Sequence, residues 1–147
     1  MDNSSTKRNA QYPPLTPEEQ AEISNRYIAE MREFQSSMEV THRLGEPALR
    51  RLLELCESRN SGQIHKVARL LAGLYNGCAF PFDLTNLRCL DSSILNDCIS
   101  VIRMDACPKK EVHRYFENGD DRWQKLITKF RITPIKHRQY FGFCFKR

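Results

Sequence analysis

Residues 70–105 read LLAGLYNGCAFPFDLTNLRCLDSSILNDCISVIRMD. This stretch has the densest apolar content of the sequence and the clearest residues for ending and starting helices. A helix is predicted to end at Tyr75-Asn76-Gly77, because glycine takes the left-handed conformation that helix termini favour. Pro81 holds the residue before it extended, which predicts a corner at Phe80-Pro81-Phe82. Asp91 is a favourable cap for a second helix. We therefore expect this second helix to be the most buried element of the fold.

A long helix is predicted before this stretch. Thr16-Pro17-Glu18-Glu19 has the pattern of a capping box with proline in the first turn. Apolar residues then recur at spacings of three and four, which predicts one helix over residues 16–44 with an apolar stripe. The stripe consists of Ile23, Tyr27, Met31, Phe34 and Met38. Gly45-Glu46-Pro47 is predicted to break this helix and to start another.

The apolar stripe of the long helix has two interpretations. A stripe at helical spacing is most often a core contact, and we favour that interpretation. The alternative is a coiled-coil or homodimer face, since the helix is long for a small domain.

Shorter helices are predicted through the rest of the chain up to about residue 130, and Pro134 ends helical structure. Phe141, Phe143 and Phe145 occupy every second position, which is the period of a strand with one apolar face. The predicted fold is all-α: a small single-domain helical bundle of five to six helices with a long N-terminal helix and a possible short C-terminal strand. The predicted organisation is a disordered tail at 1–15, a helical domain at 16–130 and a basic, aromatic C-terminal tail at 131–147.

The charges are divided unequally along the 147 residues, whose net charge is +5. Residues 1–121 carry 15 Lys and Arg against 18 Asp and Glu, a net charge of −3. No acidic residue follows Asp121, whereas eight basic residues do. The sequence therefore predicts a mildly acidic body with a strongly basic end, which is typical of a chain that contacts a polyanion or an acidic protein surface.

No catalytic, cofactor-binding or metal site is predicted. The six cysteines show no paired C-x-x-C spacing, so we expect them to be reduced and mostly buried. Asp83 and Asp91 are placed as helix caps, which explains them without a metal ion. No glycine-rich phosphate loop is present. The sequence has no apolar run long enough to span a membrane and no signal peptide, so we expect a cytoplasmic protein without membrane contact.

The runs LRRLLELC (49–56), VARLLAGLYNG (67–77), FPFDLTNLRCLD (80–91), ILNDCISVIRMD (94–105) and KKEVHRYFENG (109–119), followed by Trp123, resemble an uncharacterised bacterial domain family. The resemblance covers about residues 48–127. It implies a setting on plasmids, integrative conjugative elements and phage-like islands. The family has no assigned activity, so the resemblance implies no catalytic residue.

We therefore expect a non-enzymatic accessory or inhibitor protein of a bacterial mobile genetic element that binds a host or element macromolecule, with counter-defence as one form. The alternatives are a DNA-binding regulator and an unrecognised hydrolase. A protein partner is favoured, nucleic acid is possible, and a homodimer through the long first helix is possible. The expected partner-binding residues are Arg131, Lys136, Arg138, Tyr140, Phe141, Phe143, Phe145, Lys146 and Arg147.

Overall fold

The computed structural model describes residues 14–135. Four α-helices lie within this range: α1 (Pro17–Ser58), α2 (Gly62–Tyr75), α3 (Ser92–Ala106) and α4 (Gly119–Lys129). Two 3₁₀ helices, Leu84–Cys89 and Val112–Tyr115, complete the regular structure of this part. The predicted all-α fold with a long N-terminal helix is confirmed. The predicted C-terminal strand lies outside the described residues.

The start of α1 is the capping box that the sequence predicts. The backbone N–H of Thr16 donates to Glu19 Oε2 at 2.8 Å, and the backbone N–H of Glu19 donates to Thr16 Oγ1 at 3.2 Å. The hydrogen bonds lower the pKa of the Glu19 carboxyl, because they favour its ionised form. Pro17 stands in the first turn, where its missing N–H leaves no bond unmade.

The predicted helix break at Gly45-Glu46-Pro47 is wrong. Helix α1 continues through Pro47 and ends only at Ser58. An interior proline costs a helix about 3 kcal/mol through a lost hydrogen bond and a steric clash. Leu49, Leu52 and Leu53 follow it and are fully buried, which contributes roughly 1.5–3 kcal/mol for each side chain. Burial of the segment after Pro47 therefore outweighs the local preference against a helix.

Gly45 explains why α1 is packed at this point instead of broken. A Cβ atom on Gly45 would lie 2.5 Å from the Cβ atom of Met104, closer than non-bonded carbon atoms approach. Only glycine therefore lets α3 pack this closely against α1. From the sequence, this glycine is expected to end a helix. In the structure it lies inside α1 and forms the contact with α3.

The described residues divide into two units, and the boundary between them follows Ser36 inside α1. The second unit contains the hydrophobic core, and α2 lies among its other elements, in contact with α3, α4 and both 3₁₀ helices. The buried residues of α2 are Ile64, Val67, Ala68, Leu70, Leu71 and Ala72, whereas α3 buries Cys98, Val101 and Met104. The prediction that α3 is the most buried helix is therefore wrong.

Trp123 joins α4 to this core. Its side chain is fully buried, and its indole Nε1–H donates to the Leu71 carbonyl at 2.9 Å. A buried indole needs such an acceptor, since an unpaired N–H in the core is costly. Tyr75 stacks on the same ring at a centroid distance of 6.4 Å. These contacts fix α4 against α2.

The predicted caps are confirmed in part. Asp83 accepts the backbone N–H of Thr85 at 2.8 Å and so caps the first 3₁₀ helix, and this bond lowers the pKa of its carboxyl. Asp91 stands at the cap position of α3, but its carboxylate makes no capping bond. It accepts instead from Gln63 Nε2 at 2.8 Å, while its backbone N–H donates to Gln63 Oε1 at 3.2 Å. This reciprocal pair ties the start of α3 to the start of α2.

The C-terminal end of α1 is capped by a lysine from another helix. The last turn of α1 has no basic residue of its own, although its carbonyls carry the negative end of the helix dipole. Lys129 of α4 supplies the charge: its Nζ donates to the carbonyls of Cys56, Glu57 and Arg59 at 2.6, 2.9 and 3.1 Å. One side chain thus satisfies several carbonyls at the helix end.

Replacing this lysine tests the cap. We expect Lys129→Met to lower the free energy of unfolding by about 1–2 kcal/mol, because it removes charge-assisted hydrogen bonds and keeps most of the apolar stem. Lys125→Met is the matched control, since Lys125 lies one turn earlier on α4 and is exposed. Urea unfolding of both variants measures the difference. Equal stability of the two would contradict the capping role.

Candidate functional site

Arg131 is the one residue of the predicted binding set that lies within the described range. The other eight, Lys136, Arg138, Tyr140, Phe141, Phe143, Phe145, Lys146 and Arg147, lie outside the described residues. Arg131 is exposed and has a φ of 49°, in the left-handed region. Such a conformation costs a non-glycine residue about 1–2 kcal/mol unless the surroundings impose it.

A Schellman motif imposes that conformation. The backbone N–H of Arg131 donates to the Thr128 carbonyl at 3.1 Å, and that of Ile132 donates to the Ile127 carbonyl at 3.0 Å. Ile132 is buried beyond the end of α4, which anchors the chain after the turn. The motif therefore ends α4 abruptly and leaves the Arg131 side chain exposed to solvent.

The first residues of the basic tail return to the body at Ile135. The backbone N–H of Ile135 donates to the Ala79 carbonyl at 2.9 Å, next to the Phe80-Pro81-Phe82 corner. Ile135 itself is 53% exposed. Ile135 therefore lies at a defined surface position beside the end of α2.

Two of the described basic residues after Asp121 are occupied within the fold. Arg122 donates two hydrogen bonds to the Glu57 carboxylate, each at 2.7 Å, and these bonds raise the pKa of the guanidinium. Lys129 caps α1. Lys125 and Arg131 are exposed, so among residues 122–135 these two are the cations that a partner reaches most easily. Charge counting from the sequence did not separate structural from accessible cations.

A polar cluster lies at the other side of α4, where residues far apart in sequence meet. Tyr75 Oη donates to Asp120 Oδ1 at 3.1 Å, and His113 Nε2 lies 3.7 Å from the same oxygen. The rings of Tyr75 and His113 contact edge to face at 5.2 Å. Sequence reasoning missed this cluster, because no local pattern brings positions 75, 113 and 120 together.

The cluster borders a shallow cavity of about 380 Å³. Its lining residues are His113, Arg114, Phe116, Asn118, Gly119, Asp120 and Asp121. A histidine beside a carboxylate orients a nucleophile in many hydrolases, but no serine, threonine or cysteine is among these lining residues. The Asp120 side chain is 71% exposed, so water screens its charge. Within residues 14–135, no three His, Cys, Asp or Glu side chains are placed to share a metal ion.

Backbone packing beneath the cavity is tight. A Cβ atom on Gly119 would collide with the His113 carbonyl oxygen, so the position accepts glycine alone without rearrangement. His113 Nδ1 is buried and has no hydrogen-bond partner within the described part of the chain. The contacts of the cluster thus hold the start of α4 against the second 3₁₀ helix.

The N-terminal unit presents a different kind of surface. Residues Ile23, Tyr27, Met31 and Phe34 of α1, which we term the exposed stripe, are 45%, 62%, 38% and 52% exposed. The prediction that this stripe is a core contact is therefore wrong for these four residues. The helical period predicted an apolar face correctly, but the period alone does not specify what covers that face.

None of the helices within residues 14–135 is long and apolar enough to cross a bilayer.

A family model described as "family of unknown function (DUF7673)" matches residues 46–131, more than half of the chain. The chain belongs to this family. No curated protein and no solved structure matches it. The match confirms that the sequence runs belong to an uncharacterised domain family, and the matched residues extend slightly beyond the expected 48–127.

The DUF7673 region divides the candidate surfaces into two groups. It includes the polar cluster, the cap at Lys129 and the Schellman motif up to Arg131. The exposed stripe of α1 and the basic tail lie outside it. The family match therefore covers the core of the second unit, and the two predicted interaction segments flank it in sequence.

Two cysteines of the DUF7673 region lie in the core. Cys56 and Cys98 are buried, and burial raises the pKa of each thiol to about 12. Such thiols are poor nucleophiles at neutral pH, because the thiolate is the reactive form. Cys89 is exposed, against the expectation of burial. The prediction that all six cysteines are reduced is wrong at Cys78, which is disulfide-bonded.

Thiol labelling tests these assignments. At pH 8 a thiol with a pKa of about 12 is ionised to roughly one part in ten thousand, so we expect N-ethylmaleimide to modify Cys89 and to leave Cys56 and Cys98 intact. Peptide mass spectrometry measures each site, and labelling in urea is the control for intrinsic reactivity. Modification of Cys56 or Cys98 as fast as that of Cys89 would refute the buried placement.

Proposed function

We propose that this protein is a non-enzymatic accessory or inhibitor protein that binds a macromolecule through Arg131 and the basic, aromatic sequence after it. The observation that carries this proposal is the hydrogen bond from Ile135 to Ala79. This bond fixes Ile135, which directly precedes that basic sequence, on the surface of the second unit. Lys136, Arg138, Lys146 and Arg147 in that segment are suited to an acidic surface, and its aromatic residues offer apolar contacts.

A protein partner fits this composition better than a nucleic acid. Phe141, Phe143 and Phe145 alternate with other residues, as in a segment that places one apolar row against a protein surface. Helix α2 is poorly suited to reading DNA, since Gln63 is bonded to Asp91 and His65 packs on the Phe130 ring at 4.8 Å. Its remaining basic residues are too few for a recognition helix.

The setting we propose is a bacterial mobile genetic element, and counter-defence is one form the activity would take. Support for the setting comes from the sequence resemblance to domains of plasmids, integrative conjugative elements and phage-like islands. Small proteins that bind and block a larger complex need no catalytic group, which agrees with a helical body that presents a charged segment.

Neutralising the tail tests the proposal. In the tail variant, Lys136, Arg138, Lys146 and Arg147 are replaced by serine, and in the control variant the exposed Arg69, Arg103, Lys109 and Arg114 are replaced instead. We expect a specific bacterial protein to co-purify with the intact chain and the control, and at least tenfold less of it with the tail variant. Quantitative mass spectrometry measures the captured protein, and circular dichroism verifies that all three chains are folded.

Salt dependence separates the two classes of partner. Nucleic-acid binding through many phosphates weakens by orders of magnitude between roughly 50 and 200 mM salt, whereas an apolar protein contact with a charged rim weakens far less. We expect no gel shift of random duplex DNA at about 150 mM salt. A shift that persists there would favour the DNA-binding alternative. Equal capture by the intact chain and both variants would overturn the role of the tail.

A further inference from the structure

The exposed stripe of α1 has the geometry of a helix-pairing seam. At 100° per residue, Ile23, Tyr27, Met31 and Phe34 fall within about 80° of the helix circumference. This is narrower than the apolar face of a helix on a globular core and close to that of a coiled-coil seam. Ile28 lies further round the helix and is 46% exposed. One flank of the seam is uncharged, with Ser24 and Gln35, whereas the other flank carries the Arg26–Glu30 ion pair.

The amount of exposed apolar surface matches a small helix-pair interface. Large apolar and aromatic side chains offer about 150–250 Å² each, so the four residues of the exposed stripe, near half exposure, present on the order of 400 Å² per chain. Two such surfaces bury about 800 Å² before the side chains beside them are counted, at the low end for a specific interface. Most helical stability in proteins comes from the packing of an apolar face, so residues 17–36 gain stability when this surface is covered.

We propose that the exposed stripe pairs with the same stripe of a second copy of this chain, in an antiparallel arrangement centred near Ala29. In that register Ile23 faces Phe34 of the other copy, and Tyr27 faces Met31. Each layer then combines one aromatic with one aliphatic side chain, and the methionine sulfur contacts an aromatic ring, which is favourable. A parallel pair would stack identical residues and would lack this complementarity.

The charges of residues 17–36 favour the antiparallel orientation independently. Glu18, Glu19 and Glu22 concentrate negative charge in the first turns, while Arg26 and Arg32 balance Glu30 and Glu33 further along. A parallel pair would place the two acidic ends side by side. An antiparallel pair separates them by about 25–30 Å at 1.5 Å per residue, well beyond the screening length of about 8 Å in physiological salt. The antiparallel pair also aligns opposite helix dipoles.

A second copy is favoured over another protein because the seam is self-complementary and carries no charge that would select a different sequence. The dimer rests on the N-terminal unit and does not depend on the proposed binding tail. Neutralising the tail therefore leaves it unchanged, so failure of one proposal is distinguishable from failure of the other.

The mass of the full chain in solution tests the dimer. Light scattering at about 100 μM, a concentration at which a pair with micromolar affinity is largely associated, should give twice the mass of one chain. We expect the double variant Tyr27→Glu, Phe34→Glu to be monomeric, because it places charge on the seam. Ala29→Glu, on the opposite side of the helix, is the matched control and should remain dimeric. Equal melting temperatures of the second unit in all chains would exclude unfolding as the cause.

The orientation has its own test. Under mild oxidation Ile23→Cys should form no disulfide between two chains beyond that of the intact chain, because antiparallel pairing separates the two positions by about 16 Å along the helix axis. A disulfide specific to Ile23→Cys would show a parallel pair and overturn the proposed arrangement. A monomeric intact chain at 100 μM, or a dimer that survives Tyr27→Glu with Phe34→Glu, would overturn the proposed seam itself. If the intact chain is a monomer and forms a larger complex only when another bacterial protein is added, the stripe binds that protein and the proposed dimer is wrong.

Discussion

The close approach of Gly45 to Met104 brings α1 and α3 together in the second unit. Because glycine has no side chain, the Met104 side chain of α3 packs directly against the backbone of α1. The next turns of α1 then direct Leu49, Leu52 and Cys56 into the core, where each is at most 1% exposed. This packing requires that α1 remain helical through Pro47. The local cost of that proline is offset by the burial of the segment that follows it.

Polar contacts then define where the surrounding elements lie against α1. Arg51 makes a bidentate pair with Asp97 of α3, at 2.9 and 2.6 Å, and Arg122 of α4 makes another with Glu57. These pairs are partly exposed, so each contributes little to stability. Each pair instead fixes the orientation of its helix against α1. His42, which is buried, adds a bond from Nε2–H to the Cys107 carbonyl at 2.8 Å. The core supplies most of the stability, and the polar pairs select one arrangement.

Local signals in the sequence predicted the local structure well. The capping box at Thr16, the end of α2 before Asn76-Gly77 and the cap at Asp83 all depend on residues within a few positions of each other. The signals at Gly45 and Pro47 failed because a contact with α3, more than fifty residues away, overrides them. The polar cluster of Tyr75, His113 and Asp120 escaped sequence reasoning for the same reason, since only the fold brings its members together.

For the candidate site, sequence patterns identified the segments that are suited to binding but not the contacts that individual residues make. The exposed stripe was correctly predicted as an apolar helix face, yet the residues that cover such a face cannot be deduced from its period. The charge count after Asp121 located a basic end, but it could not show that Arg122 and Lys129 serve the fold. What emerges is a DUF7673 core flanked in sequence by two segments suited to binding.

The unfolding free energy of a Pro47→Ala variant tests most directly that α1 is one helix. Pro47 is exposed, so the substitution removes almost no packing. In a continuous helix it restores a hydrogen bond and relieves a clash, and we expect stabilisation by about 1–3 kcal/mol in urea unfolding. If Pro47 instead began a second helix, it would occupy a favourable first-turn position, and alanine would leave the stability unchanged or lower it. That result would contradict the continuous helix and the packing built on it.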